Sequence, residues 1–199
     1  SYADPLVVAH YLNDNGIAPS FLGKVEVFNI PVIGKILRSA RQIPVYRETG
    51  QAADAYRAAV AAVEQGRCIV IYPEATLTRD PDLWPMRGKT GAARIALQTR
   101  CPVVPVVNWG AQAIIGPYES KPDLLPIKEV IVRAGAPVDL ADLYERPITR
   151  EVLQQATDRI MATLTGLLEE VRGEKAPTTR FDPRAVGIPT KGNPTKEQR

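Results

Sequence analysis

The chain has 199 residues, of which 45% are hydrophobic and 24% charged, a composition typical of one globular domain with a substantial core. Its formal net charge of +3 permits an anionic substrate or membrane surface, but aromatic residues are sparse and no basic run interleaves with them, which argues against nucleic-acid binding. His10 is the single histidine, and Cys68 and Cys101 lack ligand spacing, so no metal site is expected. The two cysteines instead predict buried free thiols in a reducing compartment.

The chain opens on a helix-start pattern. Asp4 precedes Pro5, which predicts Asp4 as the N-cap of a short helix that ends before residues 15–16. Residues 21–37 form an apolar segment that is interrupted by a proline and a glycine and carries spaced basic residues. The proline within residues 43–45 then favours a short strand at a sheet edge.

Helices and strands alternate over the rest of the chain. Periodicity and cap residues predict helices at 52–65, 91–98 and 149–171 and strands at 68–72, 103–107 and 129–133. This alternation predicts an α/β fold in which helices flank one mixed sheet. We assign the domain to residues 1–172 and expect residues 173–199, rich in proline, glycine, threonine and charges, to form a loosely structured tail.

The strongest chemical signal follows the strand predicted at 68–72. Pro73 stops the strand, and Glu74, Ala75 and Thr76 come directly after it. A strand that delivers polar side chains to its carboxyl end is how open α/β sheets build binding crevices. An ordinary polar turn would give the same pattern, so the segment needs support from the rest of the sequence.

Three further segments provide that support. Asp4 lies in Ser-Tyr-Ala-Asp-Pro, Arg47 ends the pattern Ile-x-Val-x-Arg, and residues 102–106 read Pro-Val-Val-Pro-Val. Together with residues 72–78, in this order, the blocks resemble those of the glycerophospholipid acyltransferase family, typified by the 1-acylglycerol-3-phosphate acyltransferases. The resemblance implies a fold like that of these acyltransferases.

The sequence departs from the family pattern at three places. Ala75 and Arg41 stand where a glycine is usual. The family's first block also pairs its aspartate with a histidine that would lie two positions before Ser1. His10 comes after Asp4 in the chain and does not fit this pattern. We therefore expect the given sequence to be an N-terminally shortened form of a longer protein.

The resemblance implies an O-acyltransferase of phospholipid synthesis that needs no cofactor. Acyl-CoA or an acyl carrier protein would be the co-substrate, and glycerol 3-phosphate or a lysophosphatidate the acceptor. The histidine would be the general base, and Asp4 would fix its tautomer. Arg47 would bind the acceptor phosphate, because a guanidinium meets phosphate oxygens bidentately. Glu74, Ala75 and Thr76 would shape the same site, so we expect Asp4, Arg47 and Glu74 to converge at one sheet edge.

Additional candidates for the phosphate follow from their charge. Lys24, Arg87 and Lys89 are basic residues near the blocks, although a solvated surface charge explains each of them equally well. Gly88 and Gly91 allow backbone N–H groups to face an anion at a helix start.

The acyl chain has to be sheltered from water. Residues 21–37 and 84–86 are apolar enough to enter a membrane surface or to line a tunnel, and the basic residues of the first segment suit an anionic interface. An internal core helix explains that segment equally well. The resemblance implies a peripheral or monotopic protein at the cytoplasmic face of the cell membrane.

Two other functions remain open. A protein of this fold without the base would be a non-catalytic lipid- or CoA-binding protein. An acyltransferase for a glycolipid acceptor would keep the base but would not need Arg47 for phosphate binding. The residue two positions before Ser1 in the full-length gene product distinguishes the first alternative from the enzyme: a histidine there would support the enzyme, and any other residue would support the binding protein.

Overall fold

The computed structural model describes residues 1–45, 51–119 and 121–189, without the side chains of Lys24, Gln51 and Ala52. Its elements are, in chain order, α1 (Asp4–Asp14), β1 (Pro19–Lys24), α2 (Val25–Phe28), α3 (Ile33–Ser39), β2 (Ile43–Val45), α4 (Gln51–Glu64), β3 (Cys68–Val70), α5 (Gly91–Thr99), β4 (Val106–Trp109), β5 (Ile131–Ala134) and α6 (Arg150–Arg172). Short 3-10 turns at Ala111–Ala113 and Ala141–Leu143 complete the described elements. The predicted α/β class, with helices flanking small sheets, is confirmed.

The described strands form two sheets rather than the single sheet that was predicted. β1 lies between β2 and β3 in a parallel sheet, with Leu22 opposite Ile43 and Ser20 opposite Ile69. β4 and β5 pair antiparallel in a separate sheet. β4 begins only after Pro105, whose nitrogen has no hydrogen to donate to a ladder. The sequence pattern does not predict β1, because four of its six residues lie within the longer apolar segment 21–37.

The long helix α6 anchors the core as its caps predict. The Thr149 hydroxyl accepts a hydrogen bond from the Val152 N–H, and Gly173 ends the helix with a φ of 67°. The buried face of α6 packs against α5 and the segment that follows β5, in a cluster that includes Leu97, Leu140 and Ile160. These contacts fix α5 and the loop before it, which carries part of the candidate site.

The apolar segment at 21–37 turns outward in the structure. It forms β1, α2 and α3 and exposes aliphatic side chains at Val27, Ile30, Val32, Ile33 and Ile36. The segment is therefore not an internal core helix.

The second apolar segment lies inside. Trp84 and Met86 are only 5% and 2% exposed, so residues 84–86 do not offer a surface for a membrane. Trp84 packs in a cluster with Val107 and Leu168. Within the described ranges, no helix combines the length and apolarity of a bilayer span.

The described part of the predicted tail, residues 173–189, contacts the body. Ala176 packs against the cluster around Trp84, and Pro183 is buried. Arg180 pairs with Asp158 of α6, and the Phe181 carbonyl accepts a hydrogen bond from the Arg87 N–H.

Candidate active site

The turn after β3 is held by the chain segment that precedes α5. The Pro73 carbonyl accepts a hydrogen bond from the Lys89 N–H at 2.8 Å, and the Glu74 Oε2 accepts one from the Met86 N–H at 3.0 Å. Within the turn, the Ala75 N–H donates to the Tyr72 carbonyl at 3.0 Å. The Glu74 carboxyl is therefore held by one main-chain donor, the Met86 N–H, rather than left free in solvent.

Ala75 has a left-handed backbone, with a φ of 57°. A side chain with a Cβ is strained in this region, whereas glycine adopts it at no steric cost. The geometry gives a physical reason for the glycine that the resembling family usually has at this position. Ala75 itself is exposed, and the neighbouring Thr76 is half-buried.

Asp4 lies at the beginning of α1. Its predicted role as N-cap is wrong: the N-cap is Ala3, and Asp4 is the first helical residue. The Asp4 Oδ2 accepts a hydrogen bond from the Ser1 nitrogen at 2.7 Å. The Ser1 hydroxyl in turn lies within hydrogen-bond distance of the carbonyls of Ala111 and Ile115, at 3.0 and 2.8 Å. The start of α1 is thereby tied to the turn after β4.

The Asp4 charge acts on the pKa of two residues of the β3 turn, Tyr72 and Glu74. Burial raises the pKa of Glu74 to about 7, the Met86 hydrogen bond opposes that rise, and the negative charges of Asp80 and Asp4 add to it. Burial and the Asp4 charge also raise the pKa of Tyr72. A carboxyl that titrates near neutrality, beside a second carboxylate, is typical of a functional site.

The cationic candidates have different surroundings. Arg47 lies outside the described residues, and nothing is described of the Lys24 side chain. The exposed Arg87 guanidinium lies 3.3 Å from Asp182, on the side of the later chain segment. Lys89 is exposed, and its main-chain N–H holds Pro73, so that this N–H does not face an anion.

The two glycines next to these cations differ in their surroundings. A Cβ at Gly88 would lie 2.8 Å from Met161 Cγ and Sδ, so glycine is required there for close packing on α6. Gly91 is the first residue of α5, and a Cβ there would meet no described atom within 4 Å.

Sequence reasoning missed three residues beside the turn. The Asp80 Oδ1 accepts hydrogen bonds from the Asp82 and Trp84 N–H groups, and Asp80 is only 8% exposed. Met86 supplies the N–H that holds Glu74, and the Arg79 guanidinium lies 6.0 Å from the centre of the Tyr118 ring. The Asp-Pro-Asp pattern at 80–82 is a turn signal that could have identified Asp80. The Met86 contact depends on tertiary structure and has no local signal.

The described residues contain no group of three or more histidine, cysteine, aspartate or glutamate side chains arranged to hold a metal ion. They do contain the hydrogen-bonded carboxyl of Glu74, the carboxylate of Asp80 and the polar turn after β3. This set of groups can hold a hydroxyl-bearing substrate and accept or donate its protons.

Comparison with known proteins gives two matches. The family described as "Acyltransferase" matches the chain over residues 1–109, a span that includes both Asp4 and the β3 turn. The fold is similar to the crystal structure of the 1-acyl-sn-glycerophosphate (LPA) acyltransferase PlsC from Thermotoga maritima, with a TM-score of 0.57 and 23% sequence identity. The similarity covers 80% of this chain and 59% of that chain. No curated protein sequence matches the chain.

Proposed function

The chain belongs to the acyltransferase family, and we propose that it transfers an acyl group from acyl-CoA or an acyl carrier protein to a hydroxyl of glycerol 3-phosphate or lysophosphatidate. The observation that carries this proposal is the Glu74 carboxyl after β3, held by the Met86 N–H at 3.0 Å, within the span that matches the family. The structure with a similar fold is that of an LPA acyltransferase, and this supports the choice of acceptor.

In the proposed reaction the acceptor oxygen attacks the thioester carbonyl carbon. The base is a histidine two positions before Ser1, as expected from the family's first block, and it takes the hydroxyl proton during the attack. The new O–C bond forms, the C–S bond breaks, and the proton passes to the departing thiolate. The acceptor hydroxyl replaces the serine of a catalytic triad, so no covalent enzyme intermediate is needed. Asp4 accepts the other ring N–H and stabilises the imidazolium.

The acceptor phosphate needs cations. Arg47 is the first choice, with Lys24, Arg87 and Lys89 as further candidates. Glu74, with a pKa of about 7, is available in both protonation states at neutral pH and can donate to or accept from a glycerol hydroxyl.

The acceptor and the product are lipids, and an exposed apolar surface of the chain suits a bilayer. We define the α2–α3 surface by its exposed aliphatic side chains, which are Val27, Ile30, Val32, Ile33 and Ile36. Exposed basic residues accompany them at Lys35, Arg38 and Arg41, with one exposed acid at Glu26.

A strained residue lies at the centre of this surface. Val32 has a φ of 71°, which is unfavourable for a β-branched residue, and its side chain is 65% exposed. We place this surface against the anionic cytoplasmic face of the membrane, as a peripheral or monotopic contact.

An acyl-transfer assay tests the proposed reaction. The full-length gene product is incubated with acyl-CoA or acyl-loaded carrier protein and with glycerol 3-phosphate, lysophosphatidate or a glycolipid. Product from a phosphorylated acceptor is expected. Turnover of the glycolipid alone would contradict the phosphorylated acceptor, and binding of acyl-CoA without any turnover would favour a non-catalytic binding protein.

A further inference from the structure

Two successive main-chain N–H groups beside the candidate site bind two different parts of the chain. The Met86 N–H donates to the Glu74 Oε2 at 3.0 Å, and the Arg87 N–H donates to the Phe181 carbonyl at 3.2 Å. Residue Met86 therefore links the Glu74 carboxyl, through its own N–H, to a segment more than ninety residues later in the chain, through the N–H of the next residue.

That later segment is fixed at several points. We call residues 176–183 the strap. Its first residue, Ala176, packs against the cluster around Trp84 and donates its N–H to Glu169 Oε1 at 2.9 Å. Near its other end, Asp182 lies 3.3 Å from the Arg87 guanidinium, and Pro183 is buried.

The contacts differ in how firmly they can hold the strap. The Arg87–Asp182 pair is largely exposed on the arginine side, and exposed ion pairs of this kind contribute little. The main-chain hydrogen bond to Phe181 and the burial of Pro183 are less subject to screening by water and salt. The strap thus depends mainly on its backbone and its buried proline.

We propose that the strap positions the Glu74 carboxyl by holding the Arg87 N–H, and thereby the adjoining residue Met86, whose own N–H binds Glu74. Phe181, Asp182 and Pro183 are accordingly positioning residues that act on Glu74 through Met86. This inference rests on the proposed function insofar as Glu74 belongs to the acceptor site. It adds residues that lie beyond the span matching the family.

The first test measures amide hydrogen exchange at Met86 and needs no enzyme activity. In the full chain, Pro183→Gly loosens the strap, while Val186→Gly is the matched control, because Val186 is 56% exposed. We expect exchange at both Met86 and Arg87 to accelerate roughly 2- to 10-fold in Pro183→Gly, as loss of a hydrogen bond implies. The amides of α5 and α6 should keep their rates, and Val186→Gly should match the wild type.

A second variant keeps the test decisive if Pro183→Gly does not fold. Pro183→Ala keeps a Cβ but removes part of the buried ring, so it should loosen the strap less than Pro183→Gly and accelerate exchange at Met86 in the same direction. In active enzyme, strap variants should lower kcat with the phosphorylated acceptor roughly 2- to 10-fold and leave the KM for the acyl donor unchanged.

The outcomes separate this inference from the proposed function. Faster exchange at Met86 with unchanged α5 and α6 amides supports the strap, even in a protein that transfers no acyl group. Faster exchange of the Arg87 amide, with an unchanged exchange rate at the Met86 amide, would overturn the inference about the strap. The inference would also be overturned if exchange at Met86 accelerated by the same factor as exchange at the α6 amides, because that would indicate a general loss of stability.

Discussion

The Glu74 carboxyl is withdrawn from water and interacts unfavourably with two other carboxylates, Asp4 and Asp80. Its pKa is raised from 4.5 to about 7. The folded protein therefore holds this proton more tightly than the unfolded chain does. As a result, this group's contribution makes the free energy of unfolding fall as the pH rises from about 4.5 to about 7.

Glu74→Gln should remove that pH dependence, because glutamine cannot ionise but keeps an oxygen that accepts from the Met86 N–H. At pH 8 we expect the variant to exceed the wild type by about 1–3 kcal/mol in free energy of unfolding. Urea unfolding at pH 5 and pH 8 measures this difference, with the exposed Glu64→Gln as control. Equal pH dependence in Glu74→Gln and wild type would contradict the burial of this carboxyl.

Ala75 offers a second test at the scale of one residue. Ala75→Gly should raise the free energy of unfolding by about 1 kcal/mol, because glycine relieves the strain of a φ of 57°. The same substitution at the exposed Ala61, inside α4, should lower it by about 1 kcal/mol. Thermal unfolding of the two variants measures whether the free energy of unfolding rises in Ala75→Gly and falls in Ala61→Gly. A loss of stability in Ala75→Gly would show that the turn does not strain alanine.

The position of Glu74 was predictable from sequence, whereas its surroundings were not. A β-branched strand that ends in proline locates the carboxyl by local rules alone. The Met86 N–H lies twelve residues further along the chain, and the Asp4 charge comes from the start of α1. Those contacts depend on how elements pack, which no local pattern encodes.

Among the elements, the end of α6 is joined to β4 and to the loop before α5 by one side chain. The Arg172 guanidinium stacks between Trp84 and Trp109, 3.9 and 4.2 Å from the ring centres. Its Nη1 also donates to the Asp82 carbonyl at 2.8 Å. This contact secures the loop that leads to Met86, so α6 supports the candidate site from a distance.

Arg172→Ala should therefore lower the free energy of unfolding by about 2 kcal/mol or more, because it removes desolvated cation–π contacts and a charge-assisted hydrogen bond. Arg172→Lys should recover only part of the loss, since an ammonium cannot stack as a planar group does. Urea unfolding measures both variants, with the exposed Arg57→Ala as control. A change in Arg172→Ala no larger than in Arg57→Ala would contradict the role given to this side chain.

The helices were more predictable than the sheets. Residues 51–64 and 150–172 follow local helical periods and end at Gly66 and Gly173, which adopt the positive φ expected of a helix stop. Sheet pairing is non-local: most of β1 lies inside the apolar segment 21–37, whose hydrophobicity does not distinguish a strand from the helices that follow it. The separation of β4 and β5 from the parallel sheet has no signal that sequence reasoning could have used.

At the scale of the whole molecule, the α2–α3 surface predicts binding to an anionic bilayer. The double variant Val32→Asp with Ile36→Asp should weaken binding to phosphatidylserine-containing vesicles about tenfold or more, because it replaces two exposed aliphatic side chains by charges. Vesicle co-sedimentation measures the loss, and high salt should weaken wild-type binding as well.

Ile127→Asp is the matched control for this surface, because Ile127 is 93% exposed but lies in a different loop. Its binding should equal that of the wild type. Loss of binding in Ile127→Asp, with normal binding in the double variant, would move the membrane contact to the loop around residue 127.

The central claim is that the carboxylate of Asp4 orients the histidine that is the base of acyl transfer and stabilises its imidazolium form. Asp4→Asn should fold, because it forfeits mainly a first-turn charge, worth about 0.3–1 kcal/mol, and keeps an oxygen for the Ser1 nitrogen. An amide cannot stabilise an imidazolium as a carboxylate does.

The most direct measurement is therefore kcat for acyl transfer to lysophosphatidate by full-length wild type and Asp4→Asn, with circular dichroism to verify the fold. We expect kcat to fall at least about 10²-fold, the lower end for general-base catalysis. A folded Asp4→Asn protein with near-normal kcat would contradict the claim.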